Sequence, residues 1–279
     1  MASFHVVAGS NETIAPLTVR HLAFSDVLDA LRAGFDDFWD RPSHYVFLCL
    51  IYPIVGMILI TWASTGNALQ LIFPLIAGFA LLGPLAAIGL YEISRRRESN
   101  MDTSWHHAFD VLKSPAIPSI FAVGAMLAVI FLAWLFTAQA LYMRIFGPVE
   151  PASFTGFIQE VLTTPRGWTL LFWGNLIGFL FALVVLSTTS VAFPLLIDRD
   201  VGAYAAIQTS ARVMLANPLP MLFWGLIVAA LLVVGLLTLF VGLAVILPVL
   251  GHATWHLYRR AVSLPAELEQ PSMVVRQSR

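Results

Sequence analysis

The sequence predicts an all-α polytopic membrane protein with six transmembrane helices. Hydrophobic residues make up 59% of the chain and charged residues 11%, whereas soluble domains carry about 25% charged residues. Long windows contain no Asp, Glu, Lys or Arg, namely 45–60, 117–143, 168–197 and 218–253. Such windows match the roughly 20 residues that a helix needs to cross a bilayer core of about 30 Å. They must be helical, because lipid offers the backbone no hydrogen-bond partners.

The predicted spans are 45–64, 69–93, 117–143, 168–197, 219–237 and 239–258. The last two come from one apolar run, 218–258. As a single helix this run would be about 60 Å long, roughly twice the hydrocarbon thickness. The chain must therefore fold back, and the turn is predicted at Gly235, Thr238 and Gly242, which are weak helix formers.

Basic residues fall almost entirely on one side of these spans. That side carries Arg20, Arg32, Arg41, Arg95, Arg96, Arg97, Lys113, Arg199, Arg212, Arg259, Arg260, Arg276 and Arg279. The other side carries Arg144 and Arg166. By the positive-inside rule both termini are expected in the cytoplasm, and the expected location is a bacterial inner membrane.

Three stretches of the chain share one plan, which predicts an internal repeat. Each has a short amphipathic cytoplasmic helix, a boundary proline and a transmembrane hairpin. The predicted repeats are about 23–97, 103–200 and 201–262. They form one domain, 23–262, between a flexible N-terminal tail, 1–22, and a disordered C-terminal tail, 263–279.

The first amphipathic helix carries an unusual acidic face. Its carboxylates are Asp26, Asp29, Asp36, Asp37 and Asp40. A helix that lies on anionic lipid normally presents Lys and Arg. This face is therefore expected to point to the cytosol or to a protein partner.

Polar residues and prolines within the spans are the candidate sites. Ser187, Thr188, Thr189 and Ser190, with the helix-breaking Pro84 and Pro248, suggest a substrate path. The hydroxyls can equally serve to join helices. His252 and His256 lie four residues apart on one helix face. They suggest a metal site if His44, His106 or His107 adds a ligand, or else polar contacts near the headgroups.

Several classes of function lose support. The spans contain almost none of the ionisable residues that a proton-coupled transporter would need. Glu92 lies at the end of the second span, where it can pair with Arg95–Arg97. No phosphate loop, nucleophile elbow or zinc-protease motif occurs. The expected protein is not an enzyme and needs no cofactor. No basic stripe indicates nucleic-acid binding.

The chain resembles a bacterial integral membrane protein family of unknown function. The resemblance rests on the triplicated hairpins, the Asn217-Pro218 pair, Leu247-Pro248 and the closing Tyr258-Arg259-Arg260, and it covers roughly 20–262. In outline the chain is also similar to the membrane domain attached to some glycerophosphodiester phosphodiesterases. Some family members are labelled as a cytochrome c oxidase subunit. The few histidines here do not fit an oxidase core, so the label would imply an accessory or assembly role.

Together these features favour a non-enzymatic accessory, assembly or scaffold protein that contacts the lipid bilayer and acts through a partner in a membrane complex. The alternative is a transporter or lipid-handling protein for a small or amphipathic substrate.

Overall fold

The computed structural model describes residues 17–40, 51–65, 68–238 and 241–263, and these are almost entirely helical. The helices are α1 (Phe24–Asp40), α2 (Ile51–Thr65), α3 (Ile72–Leu81), α4 (Gly83–Ala86), α5 (Ile88–Glu98), α6 (Ile117–Phe146), α7 (Phe154–Thr163), α8 (Pro165–Thr189), α9 (Ala192–Asp198), α10 (Ala203–Ala216), α11 (Pro218–Leu237) and α12 (Leu243–Ala261). A 3-10 turn (Leu69–Leu71) precedes α3, and a longer 3-10 helix (Trp105–Lys113) precedes α6. The strands are β1 (Thr18–Val19) and β2 (Val262–Ser263).

Within the described residues, three helical stretches are long and apolar enough to cross a membrane. They are Ile117–Phe146, Pro165–Asp198 and Pro218–Leu237, which correspond to the third, fourth and fifth predicted spans. The apolar stretches Ile54–Ala63 and Leu69–Leu81 are shorter. The first, second and sixth spans stay predictions, and the start of the first span lies outside the described residues.

The second predicted span, 69–93, is not one continuous helix. It divides into the 3-10 turn, α3, α4 and α5, with turns at Leu82 and Ala87. Pro84 has no backbone N–H to donate and its ring crowds the preceding turn, while Gly83 adds backbone freedom. The break therefore falls at the Gly83-Pro84 pair, where a helix-breaking proline is predicted from the sequence.

The fourth predicted span is interrupted in a similar way. α8 ends at Thr189 and α9 begins at Ala192. Pro194 in α9 clashes with a helical carbonyl four residues earlier, which is that of Ser190. The chain therefore bends where its most polar intramembrane stretch ends.

The long apolar run after Pro218 folds back where the sequence predicts a turn. α11 ends at Leu237, α12 begins at Leu243, and the two helices pack together. The Gly242 N–H donates to Thr238 Oγ1 at 3.0 Å. Pro248 lies inside α12 without ending it.

The amphipathic segments pack against helices that leave the predicted hairpins. α1 lies along α12, the 3-10 helix Trp105–Lys113 lies along α5, and α10 packs against α8 and α9. α5, α9 and α12 also contact one another. Their meeting point is the core, where Tyr91, Phe193, Trp255 and Tyr258 are fully buried.

A polar clasp joins the N-terminal segment to the start of α11. β1 pairs with β2 in antiparallel register. The Leu22 N–H donates to Asn217 Oδ1 at 2.7 Å, and Asn217 Nδ2 donates to Arg20 O at 3.0 Å. Asn217 is buried, so its side chain satisfies backbone groups that lie nearly two hundred residues away in the sequence.

We expect Asn217→Ala to lower the stability of the protein by about 1–3 kcal/mol, because it leaves the Leu22 N–H and the Arg20 carbonyl without this partner. Thermal unfolding in detergent measures the change. Asn175→Ala is the matched control, since among the residues that the structure describes this exposed amide donates to Leu171 O in its own helix. Equal melting temperatures for the two variants would contradict the prediction that the Asn217 hydrogen bonds stabilise the fold.

Candidate functional site

A close helix contact positions the most buried ionisable groups. α1 runs antiparallel to α12, because Asp26 near its start pairs with Arg260 and Gly34 lies against Ala253. A Cβ atom on Gly34 would overlap the backbone of Ala253. Glycine is therefore required for this approach, which carries the end of α1 to the middle of α12.

Five side chains from α1, α5 and α12 meet beyond this contact, and we call them the Asp37 centre. Ser94 Oγ donates to Asp37 Oδ2 at 2.9 Å and lies 2.7 Å from His252 Nδ1. His256 Nε2 lies 2.9 Å from the same carboxylate oxygen. Arg97 Nε lies 3.1 Å from Asp37 Oδ1. One carboxylate thus joins three helices.

The hydrogen bonds fix the order of groups in the centre. The Ser94 hydroxyl has one hydrogen and donates it to Asp37. Its contact with His252 Nδ1 must then use a hydrogen on the imidazole. A hydrolase triad places the histidine between the serine and the carboxylate, whereas here the serine lies between them.

Electrostatics favour the ionised form of Asp37, which is 5% exposed. Burial raises the pKa of this carboxyl. The hydrogen bond from His256, the charges of His252 and His256, and the hydrogen bond from Ser94 outweigh burial, so its pKa lies below the ordinary value. A buried charge with these partners holds α1 in place.

The acidic face of α1 is largely turned toward arginines of the same chain. Asp26 and Asp29 lie near Arg260, and Asp40 pairs with Arg97. The prediction that this face points to the cytosol or to a partner is wrong for the buried Asp37. Sequence reasoning treated it as one of a row of solvated acids.

A second polar network joins α5, α9 and α12. The Tyr258 hydroxyl donates to Asp198 Oδ2 at 2.7 Å. Arg259 Nε donates to Glu98 Oε1 at 2.9 Å, and Trp255 Nε1 donates to the other oxygen of Glu98 at 3.0 Å. The charged ends of these three helices therefore lie together, at what we call the basic end of the molecule.

Glu92 pairs with the arginines that follow it, as predicted. It is buried and accepts from Arg95 Nη2 at 2.7 Å and from Arg96 Nε at 2.9 Å. The hydrogen bond with Glu92 raises the pKa of Arg95 against the opposing effect of burial. Arg96 also pairs with Asp110 at 2.9 Å, which ties the 3-10 helix to α5.

A cavity of about 540 Å³ opens between α5, the 3-10 helix and α9. Its lining combines carboxylates with basic side chains, including Glu92, Arg95, Asp110, Lys113, Arg199 and Asp200. Burial raises the pKa of Asp200. Its Oδ1 has no hydrogen-bond partner in the described part of the chain. The lining thus carries both charges, and Glu92 with Arg95 and Asp110 with Lys113 pair within it.

The hydroxyls of 187–190 mostly bond within their own helix. Ser187, Thr188 and Thr189 donate to carbonyls four residues earlier. Ser190 lies 3.2 Å from the hydroxyl of Ser210 on α10. These contacts fit the joining of helices, and a substrate path along this stretch stays a prediction.

The two prolines of the predicted path lie in other helices. Pro84 begins α4 at the break described above and is half-buried, while Pro248 is buried inside α12. The described contacts do not place the two beside Ser187–Ser190, so the path as a whole stays a prediction.

The histidines separate into two groups. His252 and His256 face Asp37, and a metal site on them stays a prediction. His106 and His107 lie beside Asp102 at the start of the 3-10 helix. His44 lies outside the described residues.

Sequence reasoning missed Ser94 and Arg97 as members of a buried site. A signal for Asp37 exists, since it continues the spacing of Val27, Ala30 and Gly34 on the buried face of α1. An acid in register with an apolar stripe indicates a buried partner. Ser94 has no comparable signal, because its contacts come from helices remote in sequence.

The apolar stretch from α3 to α9 matches a known family model. Residues 72–198 match the family of predicted integral membrane proteins DUF2189. The function of this family is unknown. The match confirms the sequence-based resemblance over less than half of the chain. Comparisons with curated proteins and with solved structures give no significant match.

We expect Asp37→Asn to destabilise the protein by roughly 3 kcal/mol, because removing one partner of a buried ionic group leaves the others uncompensated. Thermal unfolding in detergent gives the magnitude, and faster tryptic cleavage at the exposed Arg32 would report release of α1. Asp36→Asn, one position away on the exposed face, is the control. If the Asp37 centre does not stabilise the fold, both variants will have the melting temperature and the cleavage rate of the parent protein.

Proposed function

We propose that the chain is a non-enzymatic accessory, assembly or scaffold protein of the bacterial inner membrane that acts through a partner membrane protein. The observation that carries this proposal is the exposure of its spans. In the α11 span, only 17% of the apolar window is buried within the chain. Most of that helix is available to lipid or to helices of another protein.

The exposed face of α11 is a continuous apolar stripe. Its members are Leu219, Leu222, Leu226, Val233 and Leu237, which recur at the spacing of one helix face. The Asn217 clasp fixes the start of this helix. A rigid apolar helix at the edge of the fold is a suitable surface for packing against another membrane helix.

The polar groups of the basic end support a structural role. The Asp37 centre and the Tyr258–Asp198 contact join helices of the chain, and Glu92 is paired with arginines of its own helix. Ser94 is buried and gives its hydrogen to a carboxylate. This arrangement lacks the activated nucleophile that hydrolysis requires.

The packing pattern supports three repeats with boundaries near 23–97, 103–200 and 201–262. Each amphipathic segment packs against the closing helix of a different repeat. α1 lies on α12 of the third repeat, the 3-10 helix on α5 of the first, and α10 on α8 and α9 of the second. This cyclic order is what a closed ring of three units would give.

The clustering of arginines supports one orientation for all six proposed spans. Arg97, Arg199, Arg259 and Arg260 all contact residues of the basic end. Because basic residues favour the cytoplasmic side, the proposal puts the basic end and both termini in the cytoplasm.

Reporter fusions test this orientation. A green fluorescent protein fused after residue 279 is expected to fluoresce, and alkaline phosphatase at the same place is expected to be inactive. Phosphatase inserted between Gly147 and Ser153 should be active, because that connection follows α6 on the opposite side. The reverse pattern would contradict the orientation.

The cavity at the basic end favours a second function, the transport or handling of a small or amphipathic substrate. Its carboxylates and arginines could hold a zwitterion or a polar headgroup. The cavity does not need a partner protein, so the two functions predict different results on purification.

Purification from native membranes in mild detergent is expected to retain a stoichiometric partner that mass spectrometry identifies. A photoreactive residue at the exposed Leu226 should cross-link to that partner, while one at the buried Met221 on the same helix should not. A protein that purifies alone, with no cross-link at either position, would contradict the partner proposal and favour the second function.

A further inference from the structure

Two imidazoles and a carboxylate come together at the start of the 3-10 helix Trp105–Lys113. One ligand atom each from Asp102, His106 and His107 lies within 4.8 Å of the other two. Imidazole nitrogen and carboxylate oxygen are donors that zinc takes at about 2.0–2.2 Å. The residue types and their separation are therefore those of a three-ligand metal site.

The surroundings orient His107 independently of the other two ligands. Its Nδ1 lies 2.6 Å from Asp110 Oδ2. Asp110 is in turn held by Lys113 at 2.8 Å and by Arg96 at 2.9 Å. A carboxylate that accepts the second ring N–H of a metal-bound histidine fixes the ring and its tautomer. This arrangement directs His107 Nε2 toward Asp102.

Asp102 is oriented from its other side. Its Oδ1 accepts hydrogen bonds from the Ser104 hydroxyl at 2.7 Å and from the Ser104 N–H at 3.1 Å. Its Oδ2 lies 3.1 Å from His107 Nε2. Two ligands of a tetrahedral zinc ion lie about 3.4 Å apart, so these two atoms already have nearly the required spacing.

We propose that Asp102, His106 and His107 form a zinc site with water as the fourth ligand. The His106 ring lies 4.1 Å from the ring of His107, centroid to centroid, and its side chain is exposed. A change of the His106 rotamer is the movement that the proposal requires to bring its nitrogen to the other two ligands. An open fourth position is typical of zinc sites with three protein ligands.

Zinc at this position affects how the 3-10 helix packs against α5. Asp110 supports His107 and also pairs with Arg96 of α5, and both residues line the cavity. Binding of the ion therefore acts on α5 through Asp110 and its pair with Arg96 beside that cavity. The site differs from the predicted His252–His256 pair, whose imidazoles face Asp37.

Zinc titration of the purified full-length protein, stripped with chelator and followed by calorimetry, tests the site. We expect one equivalent of zinc to bind saturably. His106→Ala and His107→Ala should each weaken binding at least tenfold. Asp110→Asn should weaken it about 10–100-fold, as loss of such a supporting carboxylate does at other sites.

Matched controls separate this site from other histidines and from misfolding. His21→Ala removes an exposed histidine elsewhere and should leave zinc binding unchanged. His256→Ala tests the pair on α12; because His256 belongs to the Asp37 centre, this variant is titrated below its own melting temperature, where it should also retain binding. His106 is exposed, so His106→Ala is expected to keep the metal-free melting temperature and to decide the result if His107→Ala unfolds.

Cobalt(II) provides a second readout, since a tetrahedral site gives intense visible absorption that His106→Ala should abolish. The proposal is overturned if the parent protein shows no saturable zinc binding. It is also overturned if His106→Ala binds zinc like the parent, or if binding is lost in His256→Ala instead.

Discussion

The antiparallel contact between α1 and α12 is the constraint on which the basic end depends. Because Gly34 has no side chain, α1 approaches the backbone at Ala253 and delivers a carboxylate to two imidazoles. Without that approach the fully buried His252 would keep its contact with Ser94 but lose the nearby carboxylate. Burying polar groups without such partners costs several kcal/mol. Ser94 and Arg97 complete the same centre from α5, so the position of one small residue determines how three helices meet.

Polar and apolar contacts lie in different parts of the described helices. Ionisable groups gather at the basic end in paired networks, while the long helices rely on apolar packing. In lipid the hydrophobic effect does not drive helices together, so close van der Waals contact is needed instead. The approach of α8 to α6 shows this, since a Cβ on Gly178 would lie 3.1 Å from the ring of Trp134. Trp134 Nε1 also donates to Pro74 O at 2.8 Å, which satisfies a polar group at that depth.

The elements that the sequence predicts best are those defined by composition alone. The long apolar windows predict α6, α8 and α11. The position of Glu92 just before three arginines predicts its ion pairs. The division of 69–93 falls at Gly83-Pro84, a pair that disfavours a continuous helix by its own chemistry. The Asp37 centre depends on contacts between residues as far apart as 37 and 256, and no local pattern encodes such a separation. Asp37 itself could have been recognised from its register with Gly34, whereas Ser94 could not.

The pairing of β1 with β2 has a consequence for the connectivity of the fold. Thr18 lies opposite Ser263, and paired strands are separated by about 4.8 Å. The described path from residue 17 to residue 263 therefore ends almost at the point where it begins, and it is nearly a closed loop. A short linker could join these two points without disturbing a helix, and new ends could then be opened in the connection between α6 and α7. The order of the helices in the sequence is in this sense separable from their arrangement in space.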